Sequence, residues 1–332
     1  MENSKRTAEH KRNVDLEKTL YSLENLLGNS EMGMQFNSDL PIVFIMGSPR
    51  SGTTLLTQYL AKYSGLNYPT NLLSRFYYSP YIGSQIQKLL VDLDFKGELL
   101  SEFANEITFN SNLGKTKGPL APHEFWYYWR RFFKFGEIQK LDENQMSNTD
   151  ISGFYNGLKA MQTVFSNGIF LKGMICNWNI PFLYNNMKNV YFIYIKRDLA
   201  YNAQSLLESR EEYFSSIDEW YSFKPPEYEF LRNKTPYEQV VGQVHYTNKA
   251  IEDGLSVLPE NQSITLNYEE FCDNPTIIFN KIVKCFGIEN GVFDKFSGNE
   301  FIPAIQSNNQ IRLASQNWEQ LSGLAGNFAN LK

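Results

Sequence analysis

Cysteine is scarce in this chain of 332 residues, with three in all (Cys176, Cys272 and Cys285). The number is odd and the spacing fits no metal motif. A disulfide framework and a zinc site are therefore excluded, and a reducing, cytoplasmic setting is expected. Long apolar runs are missing too. Ile42–Met46 is a typical unbroken stretch, far short of the roughly 20 residues that a membrane-spanning helix needs. The N-terminal MENSKRTAEHKR has no apolar core, so no signal peptide is expected there. Nor is there an excess of positive charge. Lys and Arg total 31 against 36 Asp and Glu, for a net charge of −5, which argues against general nucleic-acid binding. The composition does supply 42% apolar and 20% charged residues, enough for a sizeable core. At about 150 residues per domain, the length allows two domains or one large α/β domain. Aromatics reach 15%, more than an ordinary core uses, so many are expected to line surfaces or a cleft.

Leu16, Leu20, Leu23 and Leu27 recur at helical spacing between charges, and Gly28 supplies a stop, which predicts a helix over residues 5–28. It is expected to dock on the body, with a homodimer contact through this helix as the alternative. Residues 29–40 read as a polar linker. Ile42–Met46 reads as a buried β-strand, followed by a glycine-rich turn and a helix over 53–63. Further strands are expected at Ile169–Lys172, Val190–Ile195 and Ser263–Leu266, with helices over 200–210 and 275–286. Strands alternating with helices imply parallel pairing. The expected fold is α/β, an open parallel sheet flanked by helices. Residues 1–40 would form an N-terminal helix and linker, and 41–332 the main domain. Within it, about 75–167 would be a helical, aromatic-rich insertion over the sheet's carboxyl edge.

The most informative stretch is Gly47-Ser-Pro-Arg-Ser-Gly-Thr-Thr54. Two glycines five apart between a strand and a helix make a phosphate-cradling loop, in which first-turn amides and the helix dipole face an anion. Yet Thr53 stands where nucleoside triphosphatases place Lys, the residue that reaches the β- and γ-phosphates. The cation sits in the loop instead, at Arg50, which points away from a triphosphate and towards a shorter anion.

Pro49-Arg-Ser-Gly-Thr-Thr54 resembles the loop with which sulfotransferases hold the 5′-phosphosulfate of 3′-phosphoadenylyl sulfate (PAPS). Two further segments extend the resemblance across most of residues 41–290. Lys196-Arg197-Asp198 closes a strand, with Ser205 eight residues past the Arg, as in the family's 3′-phosphate site. There an Arg forks onto the phosphate and a serine adds a neutral donor. Leu266-Asn-Tyr-Glu-Glu-Phe271, Asn274-Pro275 and Cys285-Phe-Gly-Ile288 are similar to the family's Tyr-Glu-Asp-Leu segment, helix start and closing motif. The resemblance, to bacterial members in particular, implies cofactor binding by Arg50, Ser51, Gly52, Thr53, Thr54, Arg197, Ser205 and Tyr268, the last beside adenine. It implies PAPS as co-substrate and no metal.

In-line transfer at sulfur needs positioned groups, cations near the departing oxygen and a base for the acceptor hydroxyl. Arg50 is the first cation. Lys172, at a strand end, matches a Lys that contacts the reacting sulfonate in tyrosine-directed relatives. In the tyrosine-directed and heparan-directed branches a Glu acts as base, in one branch just after the loop helix, but residues 65–72 here contain no carboxylate. The substitute is sought in Ala121-Pro-His-Glu-Phe125. Pro122 suits a first helical turn, which would put His123 at the positive end, neutral and able to accept a proton. Glu124 is the rival, and both being helix-start residues beside core aromatics is the third possibility. Weaker candidates are Arg210, the 307–312 stretch and the aromatic loop over 220–226. The expected function is sulfuryl transfer from PAPS to a hydroxyl of a carbohydrate or small-molecule acceptor. A P-loop kinase with a displaced cation and a catalytically inactive PAP-binding module remain as alternatives.

Overall fold

The structure is a computed structural model that describes residues 3–105, 107–286 and 304–330. Gly287 and Ile288, the end of the closing motif, lie outside the described residues. In chain order α1 (Val14–Leu27) precedes β1 (Ile42–Met46), α2 (Thr53–Tyr63) and α3 (Pro80–Val91). A small hairpin follows, β2 (Ser111–Asn112) and β3 (Lys115–Thr116), then α4 (Trp126–Phe132), α5 (Glu143–Ser147) and α6 (Ile151–Phe165). The chain continues through β4 (Ile169–Lys172), α7 (Ile180–Asn186), β5 (Val190–Lys196), α8 (Leu199–Phe214) and α9 (Tyr228–Leu231). It then runs through α10 (Pro236–Ser256), β6 (Ser263–Asn267), α11 (Tyr268–Asp273), α12 (Pro275–Phe286) and α13 (Ser315–Ala329).

The main sheet has the order β4-β1-β5-β6, with every pair parallel. This is the open parallel α/β sheet expected from the alternation of strands and helices. All residues of β1 and β4 are buried, as strands covered on both faces must be. The period of two along β1 divides the core. Ile42, Phe44 and Met46 face a layer with Trp129 and Phe154. Val43 and Ile45 face Leu56 and Leu60 of α2, with Phe271 and Ile278 beyond. Register places Ile45 opposite Lys172 and Met46 opposite Tyr194. The carboxyl ends of β4, β1 and β5 therefore open on one edge, where parallel sheets hold ligands.

The insertion departs from expectation in its use of aromatics. Phe125, Tyr128, Trp129, Phe133 and Phe154 are all buried. They form the layer that covers one sheet face rather than the lining of a cleft, because a sheet with two apolar faces needs a thick cover on each. The N-terminal helix is also shorter than its sequence suggests. Asn13 accepts a hydrogen bond from the Leu16 amide and caps α1, so residues 3–10 hold only two 3₁₀ turns. Leu20 is buried against this same chain, whereas Tyr21 and Leu26 face outward. Cys176 and Cys272 are buried and Cys285 half-buried, all as free thiols. No helix among the described residues is long and apolar enough to cross a membrane.

Candidate active site

The Gly47–Thr54 loop leaves β1 and enters α2 through Gly52 at φ 101°. A methyl group there would stand 2.4 Å from the Tyr268 ring, so only glycine fits. Arg50 is left-handed as well, at φ 69°, a conformation that costs a non-glycine residue on the order of 1–3 kcal/mol. Two buried asparagines hold the loop in this shape. Asn177 Nδ2 donates to the Gly47 carbonyl at 2.9 Å and its Oδ1 accepts from the Gly47 amide at 3.4 Å. Asn202 accepts from Ser48 Oγ at 2.9 Å and donates to the Pro49 carbonyl at 2.6 Å. Neither was singled out from sequence. Their signal is faint: Asn202 is a poor helix former lying between Arg197 and Ser205 on α8.

Four of the expected nucleotide-binding residues come together on one side. Arg197 Nη1 donates to the Arg50 carbonyl at 3.0 Å, and Arg50 Nε donates to Ser205 Oγ at 3.3 Å. The Arg197 guanidinium lies 4.8 Å from the centre of the Tyr268 ring. The rest of its fork meets Asn309 Oδ1 at 2.7 Å and the Asn308 carbonyl at 3.2 Å. The 307–312 stretch is thus laid across Arg197 and Tyr268. Arg312 anchors it, pairing with both oxygens of Glu208 at 2.7 Å.

The two threonines part company. Thr53 Oγ1 turns inward to Met174 Sδ at 3.2 Å, whereas Thr54 Oγ1 accepts from Lys172 Nζ at 2.9 Å. Lys172 also pairs with Glu124 Oε1 at 2.5 Å, and Trp126 Nε1 donates to Glu124 Oε2 at 2.6 Å. The Lys172 side chain is 4% exposed and that of Glu124 21%. A carboxylate with one edge open therefore stands over the first turn of α2, tied to it through a buried ammonium.

His123 lies next to this pair in a different role. Phe125 at φ 57° breaks the backbone, and α4 begins only at Trp126. Pro122 and His123 are therefore not in a helical first turn, contrary to the sequence reading. His123 Nδ1 accepts from the Phe125 amide at 2.9 Å, which commits its basic lone pair. Burial, more than the helix end, holds its pKa down at about 4, with Arg75 and Lys172 adding to the effect and Glu124 opposing it.

Arg210 sits apart. It is fully buried, donates to Gln239 Oε1 at 2.7 Å and to the Ile217 carbonyl at 3.1 Å, and stacks on Trp220. The aromatic loop 220–226 does approach the carboxylate, because Phe223 meets Trp126 edge-on at 5.5 Å. Burial raises the Tyr221 phenol's pKa, and both Arg50 and Glu124 act on it, so this ring stands within electrostatic reach of both halves of the site. A separate hollow of about 330 Å³, beside Glu31 and Arg131, is lined by none of these residues.

One observation tests whether the loop suits an anion. Ser51 Oγ is buried without a hydrogen-bond partner, beside first-turn amides of α2 that have no intrahelical acceptor. Unsatisfied donors converging at a helix N-terminus fit a sulfated phosphate. Among the described residues no three His, Cys, Asp or Glu side chains converge as a metal site would require.

A parallel sheet with a phosphate loop and two arginines in contact at its carboxyl edge defines a phosphate-loop α/β protein, and comparison with known families gives its family. It belongs to the sulfotransferase family, whose model matches residues 41–293 and whose members are PAPS-dependent enzymes. Among solved structures it is similar to sulfotransferase STF9 from Mycobacterium avium, at 11% identity and a TM-score of 0.51 over 98% of this chain and 87% of that one. It is also similar to STF1 from Mycobacterium tuberculosis, at 10% identity and a TM-score of 0.47 over 93% and 81%. A sulfotransferase domain from the curacin biosynthetic pathway matches at 18% identity, with a TM-score of 0.42 and 79% of each chain covered. The first likeness shows the fold. No curated protein matches the sequence.

Proposed function

We propose that the chain transfers a sulfuryl group from PAPS to a hydroxyl of a carbohydrate or other small acceptor, with Glu124 as the base. The observation that carries this reading is the chain of contacts from Glu124 through Lys172 to Thr54 at the mouth of the phosphate loop. Ser51, Gly52, Thr53 and Thr54 offer amides and hydroxyls to the 5′-phosphosulfate, and Arg50 adds charge. Arg197 and Ser205 take the 3′-phosphate, and Tyr268 lies beside adenine. Glu124 accepts the acceptor's proton as the new oxygen–sulfur bond forms. The old bond breaks towards the phosphate, whose oxygen keeps the electron pair, and Lys172 and Arg50 neutralise the charge that develops there. His123, with Nδ1 already accepting from the Phe125 amide, is not the base.

The test is transfer of labelled sulfate from PAPS across a hydroxyl panel, with PAP binding followed by calorimetry. Arg50→Ala is expected to abolish transfer. Absence of any heat with PAP would sink the reading, and binding without transfer would leave the inactive module.

A further inference from the structure

The hairpin formed by β2 and β3 has a tip of two residues, Leu113 at φ 45° and Gly114 at φ 88°. Both are left-handed, as a tight hairpin turn demands. The tip stands on the reacting centre. A methyl group on Gly114 would lie 2.9 Å from Glu124 Oε1 and 3.6 Å from Thr54 Oγ1. That Oε1 is the oxygen that Lys172 holds. The feet of the hairpin are fastened elsewhere. Gln58 of α2 donates to the Thr108 and Asn110 carbonyls at 2.9 and 3.3 Å. Asn71 donates to the Thr116 carbonyl and hydroxyl, each at 3.3 Å, and to the Gly118 carbonyl at 2.8 Å. Thr116 Oγ1 donates to the Pro122 carbonyl at 2.7 Å. Between the feet, among the described residues, the two short strands pair only with each other, and an isolated two-stranded ribbon is marginal in water. Gly118, at φ 102° with nothing within 4 Å of where a Cβ would stand, turns the chain at the second foot.

We infer that this hairpin is the gate of the acceptor site: its glycine tip covers the Lys172-held oxygen of Glu124, leaves the outer edge of that carboxylate open, and lifts to admit the acceptor hydroxyl, so it decides what reaches the carboxylate. The inference rests on the reading of Glu124 given above. A closed tip lowers the local dielectric around the ion pair and keeps water from competing with the acceptor. A side chain at Gly114 is incompatible with closure, which accounts for glycine at the point of contact. Tyr128, Trp129 and Phe132 of α4 are core and only Trp126 reaches the carboxylate, so selection by size falls to the hairpin on one side and to Trp126 with the Phe223 loop on the other.

The measurement is acceptor-independent release of sulfate from labelled PAPS. In that reaction a water oxygen bonds to sulfur, the bond from sulfur to the phosphate oxygen breaks, and the water proton passes to Glu124. Asn71→Ala and Thr116→Val each remove an anchor from the hairpin's foot. They are expected to raise sulfate release by up to roughly tenfold, the range that one lost hydrogen bond allows, with PAP affinity within about twofold of the parent. Adding Glu124→Gln should remove the increase. Unchanged release in both loosened proteins, with PAP still bound, overturns the gate and leaves the functional reading standing. A rise that survives Glu124→Gln overturns Glu124 as the base. In the unmodified protein, amide exchange at residues 112–116 should be far faster than in β1. Protection equal to that of β1 would overturn the gate without recourse to any variant.

Discussion

Single side chains carry the sharpest consequences. Removing one member of a buried ion pair strands its partner, at a cost of about 3–5 kcal/mol. Glu124→Gln should therefore lower both melting temperature and turnover, the latter by roughly 10²–10⁴ if the residue is the base. Combining it with Lys172→Met should restore much of the stability and none of the turnover. Recovery of activity in the double variant, read by sulfate transfer, would remove both residues from the mechanism. His123 gives a pH prediction. Its pKa falls from 6.5 unfolded to about 4 folded, so between those values the unfolded chain binds the extra proton. Its contribution to stability is complete above pH 6.5 and is lost on acidification towards pH 4, on the order of 2–3 kcal/mol in all. Denaturant midpoints measured across this window should show that slope in the parent and lose it in His123→Gln. The sequence made Thr53 and Thr54 look alike. Only packing, with Met174 under one and Lys172 beside the other, tells them apart.

At the scale of elements, the phosphate loop is the part that sequence conveyed best, because its glycines, its cation and its place between strand and helix all lie within eight residues. Gly52→Ala forces a left-handed alanine against the Tyr268 ring. Both PAP affinity and melting temperature should fall, with on the order of 1–3 kcal/mol lost to backbone strain alone. Calorimetry and a thermal scan would check this. The start of α4 was less legible. Proline before a helical aromatic run imitates a helix start, and nothing local announces that Phe125 turns left-handed. The hairpin was invisible for a similar reason. Its strands are two residues long, below any periodicity, and its importance arises from a contact with Glu124 across the fold. The start of α1 at Asn13 could have been found, since Asn is a favoured cap. Asn13→Ala should cost about 1 kcal/mol without touching turnover.

Across the whole molecule, the sheet order was not written in any one strand, but the pattern of buried runs was enough for its class. The aromatic excess misled because a sheet covered on both faces uses more large side chains than a one-sided layer. One coupling has a practical effect on mutagenesis. Because Arg197 props the Arg50 carbonyl, Arg197→Ala should weaken adenosine 5′-phosphate as well as PAP. Ser205→Ala, which lacks that link to the loop backbone, should discriminate between the two ligands, losing more affinity for PAP. Equal losses with Ser205→Ala would refute its place at the 3′ end.

That link joins residues 147 positions apart in the chain, one rooted after β1 and the other after β5. A nucleotide gripping both ends would act as a removable staple across two separate crossovers. The donor product should then resist melting of the sheet's middle, adding about 2.7 kcal/mol at a hundredfold excess over its dissociation constant. The enzyme would be sturdiest at the moment when it is loaded.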